Sequence, residues 1–287
     1  MSVSPQATVV FPTRYRLEEL GNAIESVLNQ SVPCEILVMD DGGETETAEM
    51  LRTRFPEAKH YCLATGRGPC FQRNHGIELA SCNIVFPLDD DVILPHTDTI
   101  KQTLTDFYHP RVGAVCVPMI NVNRGPELLN HAPNRDEPYF THAYIGASHA
   151  VRRDVFLGCG GYREHYFYMG EEGDYCLRMY DHGYGVKLGT AQPIHHLESP
   201  KRASKRSAYH GRRNDILYSW QNVPMPDVVP HLLATTLLGL KAAVTIGRPW
   251  SMISGLAAGW ADAINRNHPR IPVSKTAYRL TRRLRRG

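Results

Sequence analysis

Over its first ninety residues the chain alternates short apolar runs with helical patterns, and the apolar runs close on acids or turn residues. "ATVVFPT" (Ala7 to Thr13) reads as a buried strand, and "RLEELGNAIESVLNQ" follows with Leu17, Leu20, Ile24, Val27 and Leu28 at helical spacing. "CEILVMDDG" (Cys34 to Gly42) is a second buried strand that ends in Asp40, Asp41 and a glycine turn. A helix over Glu44 to Phe55 stops at Pro56, a short strand lies around Lys59 to Leu63, and a helix runs from about Pro69 to Ala80. "CNIVFPL" then leads into Asp89-Asp90-Asp91. This alternation predicts an α/β layer with a mostly parallel sheet, whose ligands gather at the carboxyl ends of the strands. Both acidic groups lie at such ends.

Three adjacent carboxylates repel one another and favour protonation unless something positive sits among them, which makes a divalent metal the leading candidate partner. Residues two apart in a strand-end turn can point the same way, so Asp89 and Asp91 are expected to share one cleft while Asp90 faces elsewhere. The turn "FPTRYRLEEL" has no glycine and therefore cannot form a GxGxxG dinucleotide site, and a P-loop is missing too. A diphosphate bound to this sheet is expected to be neutralised by metal, not cradled by a glycine loop.

With 287 residues, 42% of them hydrophobic, the chain can bury a substantial core. The net charge is only +3, but Lys201 to Arg213 and Lys275 to Arg286 each carry six Lys or Arg and no acid. Such runs are usually solvated faces and otherwise meet phosphates. A nucleic-acid role for the basic tail is not expected; it would show as steeply salt-dependent duplex binding. The seven cysteines are scattered without a CxxC pair, so neither a disulfide framework nor a zinc ribbon is expected. With no basic segment and apolar core at the N-terminus to mark a secretory signal, the expected location is a reducing cytoplasm.

"VGAVCVP" (Val112 to Pro118) reads as a strand and 121–139 as a loop. "GASHA" falls one glycine short of the GxSxG nucleophile elbow, which argues against a serine hydrolase. His142, His149 and His165 read as ordinary surface or satisfied interior groups. Past His196 a basic loop is expected, then two apolar helices, Pro230 to Gly247 and Pro249 to Asn265. Each is shorter than the roughly 20 residues of a bilayer span and carries His231, Lys241 or Asp262, so no transmembrane helix is predicted. Two settings fit them equally: the membrane plane, with Trp250 and Trp260 at headgroup level, or packing on the catalytic domain or a partner.

"YMGEEGDYCLRMYDHGYGVKLG" reads as a helix over Glu172 to His182, with Glu171 and Glu172 at an N-terminus that favours anions. Capping explains one acid there, not two acids, a further Asp174 and a His195-His196 pair after the next strand.

In order, "VVFPTRYR", "ILVMDDG", "RNHGIELA", "FPLDDDV", "GGYREHYFYMGEEGDYCLRMYDHGY" and "HH" resemble the family-2 glycosyltransferases of GT-A fold, from about Ala7 to His196. The resemblance implies a Rossmann-like, mostly parallel sheet flanked by helices (1–200), followed by a basic loop and C-terminal helical extension (201–287). It implies an inverting enzyme that moves a sugar from a UDP-, dTDP- or GDP-linked donor to an acceptor hydroxyl on a glycan or lipid-linked molecule. By the same resemblance Pro12, Thr13, Arg14, Asp40, Asp41, Arg73, Asn74, Asp89, Asp90 and Glu171 would serve the nucleotide and donor. Asp91 and His196 would hold Mn²⁺ or Mg²⁺. Glu172 would be the general base, with Asp174 as the alternative, and arginines of 201–213 would close over the diphosphate. Where the family usually has Glu-Asp, this chain has Glu171-Glu172, a methylene longer at the base, which shifts a carboxylate by roughly an ångström. The expected role is synthesis of a bacterial surface polysaccharide or related glycan at the inner face of the cell membrane, with peripheral membrane contact and oligomerisation both open. The rival readings are a catalytically silent nucleotide-binding scaffold and a sugar-nucleotide pyrophosphorylase.

Overall fold

The computed structural model describes residues 4–43, 45–63, 65–198 and 205–286. The first ninety residues form β1 (Ala7–Thr13), α1 (Leu17–Leu28), β2 (Cys34–Asp40), α2 (Thr45–Arg54), β3 (Lys59–Cys62), α3 (Pro69–Leu79) and β4 (Ile84–Pro87). Next come β5 (Val92–Ile93), α4 (Thr99–Thr105), β6 (Val112–Cys116), β7 (Met119–Asn121), β8 (Leu128–Leu129), β9 (Phe140–Thr141) and β10 (His149–Arg152). After α5 (Arg153–Gly158) and a 3₁₀ turn at Glu164–Tyr166, α6 (Glu171–Asp181), β11 (Gly185–Leu188) and β12 (Ile194–His196) complete the α/β part. The C-terminal extension is helical: α7 (Lys205–Asn222), α8 (Val228–Thr245), α9 (Pro249–Ile264) and α10 (Lys275–Leu284).

Eight strands form the main sheet in the order β3-β2-β1-β4-β10-β6-β11-β9. It is mostly parallel as expected, with β10 running against β4 and β6, and β9 against β11. Its central strands are apolar on both faces because helices cover both, as in any parallel sheet of this kind. Val9, Phe11, Ile36 and Val38 pack with Leu20, Ile24 and Val27 on one side. Val10, Leu37 and Met39 pack with Cys70 and Ile77 on the other.

A second, four-stranded sheet has the order β5-β12-β7-β8. There β12 runs antiparallel to β5, so His196 lies opposite Val92, and the Leu197 N–H donates to the Asp91 carbonyl at 2.9 Å. This pairing carries a histidine from the end of the α/β part to the acidic turn after β4.

Three sequence expectations change. The strand expected over Val112–Pro118 ends at Cys116, and β7 begins at Met119 in the other sheet. The loop expected over 121–139 contains the short strand β8. The basic segment expected as a loop is helical from Lys205, while residues 199–204 lie outside the described residues. The helix forms there because apolar Ile216 and Leu217 are buried, Ile216 in the core it shares with the other C-terminal helices and Leu217 against the α/β part, an anchor that charge composition alone does not show.

The core of the C-terminal helices joins Leu177 of α6 to Ile216, Val223, Val228, Leu232, Leu256, Val273 and Tyr278. The extension is thus packed on the helix that begins with Glu171 and Glu172.

Candidate active site

The acidic turn is the corner on which the site is built. One ligand atom each of Asp89, Asp91 and His196 lies within 4.8 Å of the others, a spacing and donor set that one divalent cation fits. His196 Nε2 is 3.1 Å from Asp91 Oδ1. Burial opposes ionisation of Asp91, yet the hydrogen bond from His196 and the nearby positive charge hold its carboxyl below the ordinary range. Asp90 turns the other way: it accepts from Thr13 Oγ1 at 2.8 Å and from Arg16 at 2.6 Å. Burial pushes the Asp90 carboxyl up, against the pull of Arg16. Arg16 also reaches Asp91 Oδ2 at 3.0 Å, and Arg73 pairs with Asp89. The three neighbouring aspartates are therefore each matched by positive charge. Sequence reasoning missed Arg16, although it stands in the quoted "FPTRYR" at the end of β1.

A groove of about 430 Å³ runs along the carboxyl ends of β1 and β2, lined by Pro12, Thr13, Arg14, Arg16, Asp41, Gly68, Gln72, Asp90, Tyr168 and Arg206. Asp41 faces it, accepting from the N–H groups of Arg67 (2.7 Å) and Gly68 (3.0 Å) and from Gln72 (2.8 Å). Gly68 precedes α3 at φ +82°, where a side chain would also strike the Phe167 ring. Asp40 turns inward instead, fully buried, to accept from the Gly42 N–H at 2.9 Å, with His60 at 3.3 Å. Asn74, expected beside the nucleotide, exchanges hydrogen bonds with the Tyr162 backbone at 2.7 and 2.8 Å. It fixes the approach to α6.

A second cavity of about 470 Å³ adjoins the groove, with Tyr168 lining both. Arg73, Asp89, Gly146, Glu171, Glu172 and His196 converge on it. Gly170, at φ +84°, turns the chain into α6 and delivers the two glutamates to the cavity. Glu171 is 2% exposed and pairs with Arg73 at 3.0 Å, while its Oε2 has no hydrogen-bond partner among the described residues. Burial, then repulsion from Glu172, raises the Glu171 carboxyl. Burial also raises Glu172, against the pull of Arg73 and backbone hydrogen bonds that include Gly146.

The space Glu172 needs comes from Gly146. A Cβ at that position would lie 2.3 Å from Glu172 Oε1, so a glycine is what lets the longer acid lie there.

Asp174 does not share this position. Fully buried, it accepts from Arg163 (2.7 Å), Arg178 (2.8 and 3.0 Å), Asn222 (2.8 Å) and Tyr166 (3.3 Å). These contacts fill its acceptor sites and tie α6 to α7, and Asp174, named from the sequence as the alternative base, does not line the cavity that holds Glu172. Of the basic segment, Arg206 reaches the groove, 5.8 Å from the Tyr168 ring, and Arg212 lines the cavity. Arg213 pairs with Asp262 at 2.8 Å and Asn214 holds the carbonyls of Tyr166, Tyr168 and Met169, so this pair shapes the segment before α6.

Comparison with known proteins gives the fold and the family. A glucosyl-dolichyl phosphate glucuronosyltransferase from Haloferax volcanii is 29% identical over 191 residues, 58% of this chain and 60% of that protein. The chain thus spans about three fifths of that relative's length. The mannosyltransferase PcManGT from Pyrobaculum calidifontis, solved with GDP-Man and Mn²⁺, superposes with a TM-score of 0.61 at 18% identity, over 98% of this chain and 80% of that one. GalNAc-T7, solved with UDP, GalNAc and Mn²⁺, superposes with a TM-score of 0.63 at 14% identity, over 77% of this chain and 48% of that one. These likenesses show the GT-A fold. The family model for glycosyl transferase family 2 matches residues 8–167, more than half of the sequence, and the chain belongs to that family.

Proposed function

We propose that the protein is a metal-dependent, inverting glycosyltransferase that takes a sugar from a nucleoside diphosphate and passes it to an acceptor hydroxyl. The observation that carries this reading is the convergence of Asp89, His196, Glu171 and Glu172 on one cavity next to the groove that Asp41 lines. The groove takes the nucleoside, with Asp41, Gln72 and Tyr168 around it. Asp89, Asp91 and His196 hold Mn²⁺ or Mg²⁺, which supplies Lewis-acid charge against the departing diphosphate. Arg206 and Arg16 add fixed positive charge on the nucleotide side.

Glu172 is the general base. It accepts the acceptor hydroxyl proton as that oxygen attacks the anomeric carbon, the bond to the diphosphate oxygen breaks, and a single displacement inverts the centre. Burial, which raises Glu172, fits a carboxylate required to take a proton. Asp174, saturated by two arginines, an asparagine and a tyrosine, is a structural group. Residues 1–200 act as the catalytic unit and 201–287 as an extension that walls its cavity. Seven free thiols support action in a reducing cytoplasm, and surface-glycan synthesis is the role proposed there.

Nucleotide sugars screened by thermal shift with and without Mn²⁺ will identify the donor, because preferential binding raises the melting temperature. Asp91→Asn should abolish the Mn²⁺-dependent part of that shift. Glu172→Gln should retain it and lower turnover by about 10²–10⁴-fold, the usual contribution of a general base. Wild-type turnover by Glu172→Gln would overturn the base assignment.

A further inference from the structure

Helix α8 is mostly apolar, and only one side of it is covered. Val228, Leu232, Gly239 and Ala243 face the protein. Val229, Leu233, Leu237, Leu240 and Val244 recur at three- and four-residue spacing as an exposed stripe, with Leu237 68% and Val244 79% exposed. The stripe continues through Ile246 to Trp250, which is 85% exposed. From Val228 to Ala261 there is no carboxylate, while Lys241 and Arg248 are cationic. At the far end of α8, Arg282 and Arg285 approach His231, with Asp227 the acid nearby.

By length and composition α8 is apolar enough to cross a membrane, contrary to the sequence expectation. Its packing argues for another placement. His231 Nδ1 meets Ser219 Oγ at 2.9 Å, and Trp260 Nε1 donates to Thr236 Oγ1 at 3.0 Å, so one face is committed to α7 and α9. A helix docked on its own protein in this way lies along a bilayer surface, with one stripe in lipid and tryptophan at headgroup level.

The same segment forms the outer wall of the catalytic cavity. Ile246, Arg248 and Met252 line it together with Ile145, Met169 and Arg212. Arg212 pairs with Asp215 at 2.8 Å, whereas Arg248 has no acidic partner among the described residues. This outer side of the cavity, apolar at Ile145, Met169, Ile246 and Met252 and holding a guanidinium without an acidic partner, suits a phosphate on an apolar chain.

We propose that the exposed face of α8 and the α8–α9 turn seats on an anionic lipid bilayer, from which the cavity draws an acceptor that carries, besides the attacking hydroxyl, a phosphate on an apolar chain. The acceptor's place at Glu172 rests on the function proposed above; the membrane seat does not. Lys241 and Arg248 beside the stripe, with no acid between Asp227 and Asp262, favour anionic lipid over a second copy of the chain.

The test uses the full chain. It should float with phosphatidylcholine vesicles and float more completely when phosphatidylglycerol is included. Leu237→Glu with Val244→Glu, both at exposed positions, should lower vesicle binding by about tenfold or more while leaving the melting temperature and Mn²⁺-dependent nucleotide binding unchanged. Wild-type protein that stays below the vesicles, a double variant that floats as well as wild type, or light scattering that shows a dimer split by these substitutions would each overturn the membrane seat. Farnesyl phosphate should bind at least about tenfold tighter than inorganic phosphate or farnesol, and Arg248→Ala should weaken it severalfold. Equal affinity for inorganic phosphate, or no effect of Arg248→Ala, would overturn the acceptor class. Wild-type protein that floats yet binds no nucleotide would instead remove the proposed function and leave the membrane seat standing.

Discussion

Glu172 reaches further than an aspartate, and Gly146 makes room for it. Alanine at 146 would place a methyl 2.3 Å from Glu172 Oε1. The carboxylate can swing away at little expense to the fold, so Gly146→Ala should leave the melting temperature nearly unchanged and lower kcat by about 10²-fold, the scale of a one-ångström misplacement. Adding Glu172→Asp should restore part of that loss, because the shorter acid vacates the space. A steady-state cycle over the two single variants and the pair checks this: additive losses would mean that the two positions do not share that space. Asp174 offers the contrast within the same helix. Removing its charge with Asp174→Asn leaves Arg163 and Arg178 buried against a neutral side chain, which should destabilise the protein by about 3–5 kcal/mol in urea unfolding.

At the scale of elements, α6 connects chemistry to the extension. Its first turn faces the cavity, Asp174 bonds to Asn222 of α7, and Leu177 enters the extension's core. The extension is itself closely packed, because glycines let α9 approach α7. A Cβ on Gly255 would meet the Tyr209 carbonyl oxygen at 2.2 Å, and one on Gly259 the Arg213 carbonyl oxygen at 2.6 Å. Backbone does not yield as a flexible side chain does, so Gly255→Ala should push the helices apart and destabilise the extension by about 1–3 kcal/mol. Limited proteolysis should then cut the α8–α9 region sooner than in wild type, and an unchanged digestion pattern would refute close packing there. Met252 and Ile246, at this junction, wall the catalytic cavity, so KM for acceptor should respond before donor binding does.

For the whole molecule, the buried His149 sets an acid limit. It stacks on Tyr144 with ring centres 3.9 Å apart, and its Nε2 lies 3.0 Å from the Tyr162 hydroxyl. Burial, helped by the charge of Arg73, lowers its pKa to about 3. The folded value lies below the ordinary 6.5, so the neutral ring's contribution is fully present above pH 6.5 and is lost as pH falls from there toward about 3. The unfolding free energy from urea titrations should therefore drop across that window, by at most about 1.4 kcal/mol per pH unit from this one proton, and His149→Phe should flatten the drop. An identical slope in that variant would assign the acid sensitivity to other groups. The α/β alternation, the acids at strand ends and the six ordered motifs were legible in the sequence, because a buried strand and an amphipathic helix each leave a periodic mark on the chain. The roles of Arg16, Gly146 and Asn74 were not, since each depends on what lies opposite in space and not on what is adjacent in sequence. The covalent order of residues determined which strands are buried, where charge accumulates and which helix begins with two glutamates. Tertiary structure alone decided that β12 pairs with β5, which puts His196 beside Asp91, and that α7, the α8–α9 turn and α9 wall the cavity, because strand pairing and helix docking follow from buried area and hydrogen bonds summed over segments far apart in the chain.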